Sequence, residues 1–139
     1  MGGKQINIIC FMNNNLELSF LDLMKKKRER IVAKKVIKMK DIGREGFHFF
    51  ECEEFTYLQQ HNSDEKYFIF ERLRRTKIVG TKANPLLIES DVEYRISYYI
   101  VGKIGTKKGK WTFGQYCPTI PVEDFPRLLE KAKSDKVIL

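Results

Sequence analysis

Residues 93–131 read EYRISYYIVGKIGTKKGKWTFGQYCPTIPVEDFPRLLEK, and the periodicity of this stretch decides the fold class. Alternation by two puts Tyr94, Ile96, Tyr98 and Ile100 on one face of a strand and Arg95, Ser97, Tyr99 and Lys103 on the other. The segment from Gly105 to Lys110 is a glycine-containing basic turn, and Trp111 to Thr119 reads as the returning strand. Pro121 to Asp124 then opens a helix. Acidic residues stand where the positive end of the helix dipole favours them, and Pro126 is tolerated only within the first turn. Phe125, Leu128, Leu129 and Ala132 form the stripe of a helix lying on a sheet.

Working upstream, Phe47 to Leu58 is an aromatic-rich strand carrying Glu51, Glu53 and Glu54. A polar turn at residues 61–64 leads to the strand Tyr67–Phe70, which runs on into the basic segment 72–79. Between Leu16 and about Lys40 the spacing of Phe20, Leu21, Met24, Ile31, Val32, Val36 and Met39 predicts a helix, although the part after Ile31 also fits a strand. Residues 5–12 are apolar and β-branched, which suggests a short strand or ordered arm. The expected organisation is an N-terminal arm, 1–15, and one α+β domain, 16–139. In that domain an antiparallel sheet with a basic-tipped hairpin packs against a C-terminal helix, with a basic helix at its start.

A chain of 139 residues with 42% hydrophobic residues can bury a core without metals or disulfides. Its net charge of +8 creates a field that attracts polyanions, and nucleic acid is the commonest such partner. Cys10, Cys52 and Cys117 are odd in number and never paired as CxxC, which fits neither a disulfide framework nor a zinc site. They are expected as reduced thiols in a cytoplasmic protein. No run approaches the length of a membrane span, and neither a secretory signal nor a myristoylation motif is present at the start. No membrane partner is therefore expected.

The candidate binding face alternates cation and ring: Arg95, Tyr99 and Lys103 on the first strand, then Lys107, Lys108 and Lys110 in the turn. Trp111 and Tyr116 follow on the return. Cations neutralise phosphates while aromatic rings give bases a surface on which to stack. Trp111, Phe113 and Gln115 share one parity and Lys110, Thr112 and Tyr116 the other, so either set could join the face. Arg72, Arg74 and Arg75 add guanidinium forks suited to phosphate oxygens, and Lys77 adds an ammonium beside them. Pairing of these arginines with Glu51, Glu53 and Glu54 across a sheet is the competing structural explanation. The dense cations from Lys25 to Lys40 predict salt-dependent affinity but also suit a solvated helix face.

Catalytic patterns are thin. His48 and His61 lack any metal or triad context, and no spacing implies a cofactor or resident metal. A Mg²⁺-dependent nuclease could draw on Asp64, Glu65 and Lys66, or on Glu89, Asp91 and Glu93. Gly102, Gly105 and Gly109 lie in a hairpin turn and not between a strand and a helix, so they do not build a phosphate loop.

The order of strand YRISYYIVGKI, turn GTKKGK, strand WTFGQYCPTI and helix start IPVEDFPRLLEKA resembles the positive-cofactor-four family of single-stranded-DNA-binding transcriptional coactivators. The resemblance covers residues 93–131. It implies a curved sheet backed by the C-terminal helix, a homodimer and a role in transcription regulation. By position it also implies strand-holding roles for Arg95, Tyr99, Lys103, Lys107, Lys108, Lys110 and Trp111. Cys117-Pro118 and Pro126 depart from the family pattern. The resulting expectation is a non-enzymatic protein that binds nucleic acid, single strands by preference. A small metal-dependent nuclease, or an adaptor for an acidic protein or a ribonucleoprotein, are the alternatives.

Overall fold

The segment Lys66–Val79 carries large side chains on both of its faces, as a strand must when it is covered on two sides. In the computed structural model, which describes residues 3–40, 43–80, 86–114 and 116–139 and their side chains from Asn15 onward, this segment is the central strand. The order is α1 (Gly3–Val32), β1 (Val36–Met39), β2 (Phe47–Gln59), β3 (Lys66–Val79), β4 (Val92–Val101), β5 (Trp111–Phe113) and α2 (Asp124–Ser134). The five strands pair antiparallel in sequence order, so the sheet is a meander with β1 and β5 at its edges. The chain is therefore α+β, with a helix on each face of one sheet.

Period-two alternation along β3 sorts the core. Tyr67, Ile69 and Leu73 join Phe50, Cys52 and Phe55 beneath α1, which contributes the fully buried Phe20 and Met24. On the opposite face Phe68 and Phe70 pack with Leu128 and Ala132 of α2 and with Val137 just beyond it. Phe20 stacks on Tyr67 at 3.7 Å between ring centroids and meets Trp111 edge-on at 5.2 Å. The Trp111 Nε1–H donates to the Leu16 carbonyl at 3.1 Å and to the Ser19 hydroxyl at 3.0 Å, tying the edge strand to the helix.

Two local devices set the ends of the elements. Lys34 has φ of 53°, and its N–H and that of Lys35 close on the Ile31 and Arg30 carbonyls, each at 3.0 Å. This is a left-handed helix terminator, and it turns the chain back into β1. At the other edge β5 is short because Gly114 lies flat against the Tyr98 ring, where a Cβ would stand 2.1 Å from a ring carbon. At the start of α2 the buried Asp124 accepts the His61 backbone N–H at 3.0 Å, fixing that helix to the β2–β3 turn.

The sequence expectations need three corrections. Residues 5–12 are not a strand but part of α1, where continuous i→i+4 hydrogen bonding outweighs β-branched composition. The helix predicted to about Lys40 stops at Val32 and is followed by β1, the alternative reading of that segment. The return strand expected to Thr119 ends at Phe113.

Phe20→Ala should cost about 3–5 kcal/mol, the usual range for emptying a fully buried aromatic site, and should loosen α1 from the sheet. Chemical denaturation, with tryptophan emission reporting Trp111, measures both effects. Lys34→Gly should act in the opposite sense. A left-handed L-residue costs roughly 1–2 kcal/mol and glycine's extra backbone freedom returns roughly 0.5–1 kcal/mol, so a net gain of about 0.5–1 kcal/mol is expected in the same assay.

Candidate nucleic-acid interface

Although β1 and β5 are opposite edges of the sheet, Val36, Ile37 and Met39 line the same cleft as Tyr99 and Phe113, so the sheet coils around α1. The cleft has a volume of about 720 Å³. The last turns of α1 form one wall with Lys27, Arg30 and Ile31, and β1 with its preceding Lys35 forms another. Cys52 of β2 lies at the bottom, with Arg95 and Tyr99 of β4 and Phe113 of β5 on the far side. Five of the lining side chains are cations, Lys27, Arg30, Lys35, Lys38 and Arg95, and none is a carboxylate.

The nearest counter-charge is Glu71, wholly buried on β3. Its Oε2 lies 2.6 Å from the Lys27 Nζ, and its Oε1 accepts the Arg95 Nε–H at 2.8 Å. One carboxylate thus holds two of the five cations. Arg30 and Lys35 have no carboxylate partner among the described residues, and the Lys38 ammonium sits 3.9 Å from the Phe47 ring centroid. Arg30 stands in the last turn of α1, where a cation also offsets the negative end of the helix dipole. The others lie outside that turn and have no such use.

Two rings complete the surface. Tyr99 meets Phe113 edge-on at 5.4 Å between centroids, and the Arg95 guanidinium lies 5.5 Å from the Phe113 ring. Phe113 is 41% exposed. Burial first, and then the Glu71 carboxylate, raise the Tyr99 hydroxyl above its ordinary value, so the ring remains neutral. The same two causes push the Cys52 thiol up to about 12, which keeps it protonated and unreactive at neutral pH.

Of the residues singled out on the hairpin and in the 72–77 segment, the structure brings Arg95 and Tyr99 into this cleft, with Phe113 from one of the two open parity sets; of the cations between Lys25 and Lys40, Lys27, Arg30, Lys35 and Lys38 join them. Arg72, Arg74 and Arg75 do not form an open phosphate-binding row. Arg72 donates to Glu53 at 3.3 Å and to the Lys136 and Val137 carbonyls at 2.8 and 3.0 Å. Arg74 shares Glu53 at 2.9 Å and reaches the Ser90 carbonyl at 3.0 Å. Arg75 is only 3% exposed and is held by Glu93 and His48. Glu53, one of the acidic residues of β2, is thus the partner that the competing explanation anticipated.

Lys77 is exposed near the end of β3, and Lys103 pairs with Glu65 at 2.5 Å. Lys107, Lys108 and Lys110 are exposed in the β4–β5 connection, which contains a short 3-10 turn at Gly105–Lys107. Trp111 is half-buried with its N–H engaged by α1, and Tyr116 is 81% exposed beyond β5. The aromatic partner missed by counting parity is Phe113: alternation left two sets open, and only the register Tyr99↔Phe113 decides between them.

The acidic residues considered for a nuclease are dispersed. Glu93 is engaged by Arg75, and Asp91 accepts the Ile88 N–H at 3.0 Å. Among the described residues no group of three or more His, Cys, Asp or Glu side chains is placed to hold a metal ion. Among the same residues no helix is long and apolar enough to cross a membrane. Comparison with protein-family models, with curated proteins and with solved structures returns no match.

Burial opposes ionisation of Glu53, but the hydrogen bond and charge of Arg74, followed by Arg72, outweigh it and hold the carboxyl below its ordinary value. A depressed folded value gives stability that is present above the unfolded value and lost as pH falls through the folded one. Glu53→Gln should therefore lower the denaturation midpoint at neutral pH, with the gap to the parent protein closing in acid. A gap that stays constant with pH would assign the loss to packing.

Proposed function

We propose that this protein is a non-enzymatic binder of single-stranded nucleic acid and that the cleft between α1, β1 and the β4–β5 hairpin is where the strand is held. The observation that carries the reading is the concentration of Lys27, Arg30, Lys35, Lys38 and Arg95 around one concavity whose far wall is Tyr99 and Phe113. Cations in a concave site focus the field on an incoming phosphate, and the two rings supply a stacking surface that every base can use. A duplex is about 20 Å wide, too broad for a cleft in the size range of small-ligand pockets, so a single strand is the form that can enter. The exposed lysines Lys107, Lys108 and Lys110 add a sequence-independent attraction outside the cleft.

Titrating labelled single-stranded DNA, RNA and duplex at two salt concentrations tests this. Affinity should fall steeply with salt, and Arg30→Gln with Lys35→Gln should reduce the single-strand salt slope by about 1.4. Phe113→Ala should weaken single-strand binding by about 1–3 kcal/mol, the range for one stacked base, while changing duplex binding little. Strand binding that is indifferent to all three substitutions would remove the cleft from the mechanism, and no binding at low salt would refute the function.

A further inference from the structure

The cleft is closed on the side that faces the α1 core, and this deepens the reading just given, on which the inference rests. Tyr99, which lines the cleft, has its other side against Phe20 at 6.3 Å between centroids. Phe20 is fully buried and is flanked by Tyr57, Tyr67 and Trp111. The space therefore cannot continue beneath α1, because a close-packed aromatic cluster fills it. A strand cannot run on from the cleft beneath α1, whereas a strand end can enter and stop against this wall.

The charge fits an end better than the middle of a strand. An internal phosphodiester carries one negative charge, while a phosphomonoester carries about −1.5 to −2 at neutral pH and offers three acceptor oxygens. Arg30 and Lys35, neither with a carboxylate partner among the described residues, stand on adjacent walls, α1 and the entry to β1. Lys27 and Arg95 lie behind them, already oriented by Glu71. A guanidinium fork on one side and a mobile ammonium on the other suit a doubly charged terminal group. We infer that the cleft receives the phosphorylated terminus of a nucleic-acid strand, with Arg30 and Lys35 on the terminal phosphate and Phe113 beside the first base.

The experiment compares one single-stranded sequence in four forms: 5′-phosphorylated, 3′-phosphorylated, hydroxyl at both ends, and covalently circular. Binding is read by anisotropy competition at constant salt. One phosphorylated form should bind about tenfold more tightly than the hydroxyl-ended and circular forms, equivalent to roughly 1.4 kcal/mol from an added charge-assisted contact. The double variant Arg30→Gln, Lys35→Gln should erase that preference. Both residues are solvent-exposed, so the variant should fold, and its melting curve checks this. A nucleoside monophosphate should compete for the cleft.

If all four forms bind equally and all weaken in the double variant, the end preference is overturned while strand binding in the cleft stands. If no form binds even at low salt, both readings fail together. A phosphate preference that survives in the double variant would place the terminal contact elsewhere and overturn the assignment of Arg30 and Lys35.

Discussion

The Glu71 carboxylate is the constraint around which the rest of the molecule is arranged. It occupies an inward position on the central strand where alternation alone would call for an apolar residue, and it is wholly buried. Removing a carboxylate from water costs several kcal/mol unless opposite charges and hydrogen bonds compensate. Here α1 supplies Lys27 and β4 supplies Arg95. A shift of α1 by one turn would leave the carboxylate without the Lys27 ammonium, so the pair and the stacking of the buried Phe20 on Tyr67 favour the same docking position for the helix. The same pair stands both cations at the side of the cleft, linking the registration of the fold to the chemistry of the site.

Charge is divided unequally between the two faces of the sheet. On the α2 face, Arg72 and Arg74 converge on Glu53, and Arg72 also donates to the Lys136 and Val137 carbonyls that follow α2, so its guanidinium closes the C-terminal end of the chain onto the sheet, while Arg74 reaches the Ser90 carbonyl. On the α1 face, cations outnumber the carboxylates that could neutralise them, and the excess is gathered at the concave side of the coil. Arg72, Arg74 and Arg95 each face a carboxylate, whereas Arg30 has none among the described residues.

Much of the architecture was legible from periodicity. The strand at Tyr94–Ile100 announces itself by alternation, and the α2 start follows from the dipole preference and the first-turn proline. Residues 5–12 were not legible as helix, because their β-branched composition favours strand locally and only the continuation of α1 decides otherwise. The end of β5 depends on Gly114 meeting the Tyr98 ring, a contact between residues far apart along the chain. The site was read in part: Arg95 and Tyr99 come from strand parity, whereas the clustering of Arg30 and Lys35 with Phe113 follows from the coil of the sheet, which brings its two edges to one cavity.

The coil also explains why the candidate cleft lies at an element boundary and not on the open face of the hairpin. A flat sheet would present Arg95, Tyr99 and Phe113 to solvent along a line, suited to a strand running past. Once the sheet closes round α1, the middle of that face is filled by Phe20 and Trp111, and Trp111 acts as a fastener for the helix. What remains open is the gap at the C-terminal end of α1, where the left-handed Lys34 turns the chain and leaves Arg30 and Lys35 at the rim. The helix terminator and the cation pair are thus one local feature: the Lys35 N–H that closes on the Arg30 carbonyl joins the two residues through the backbone that ends α1.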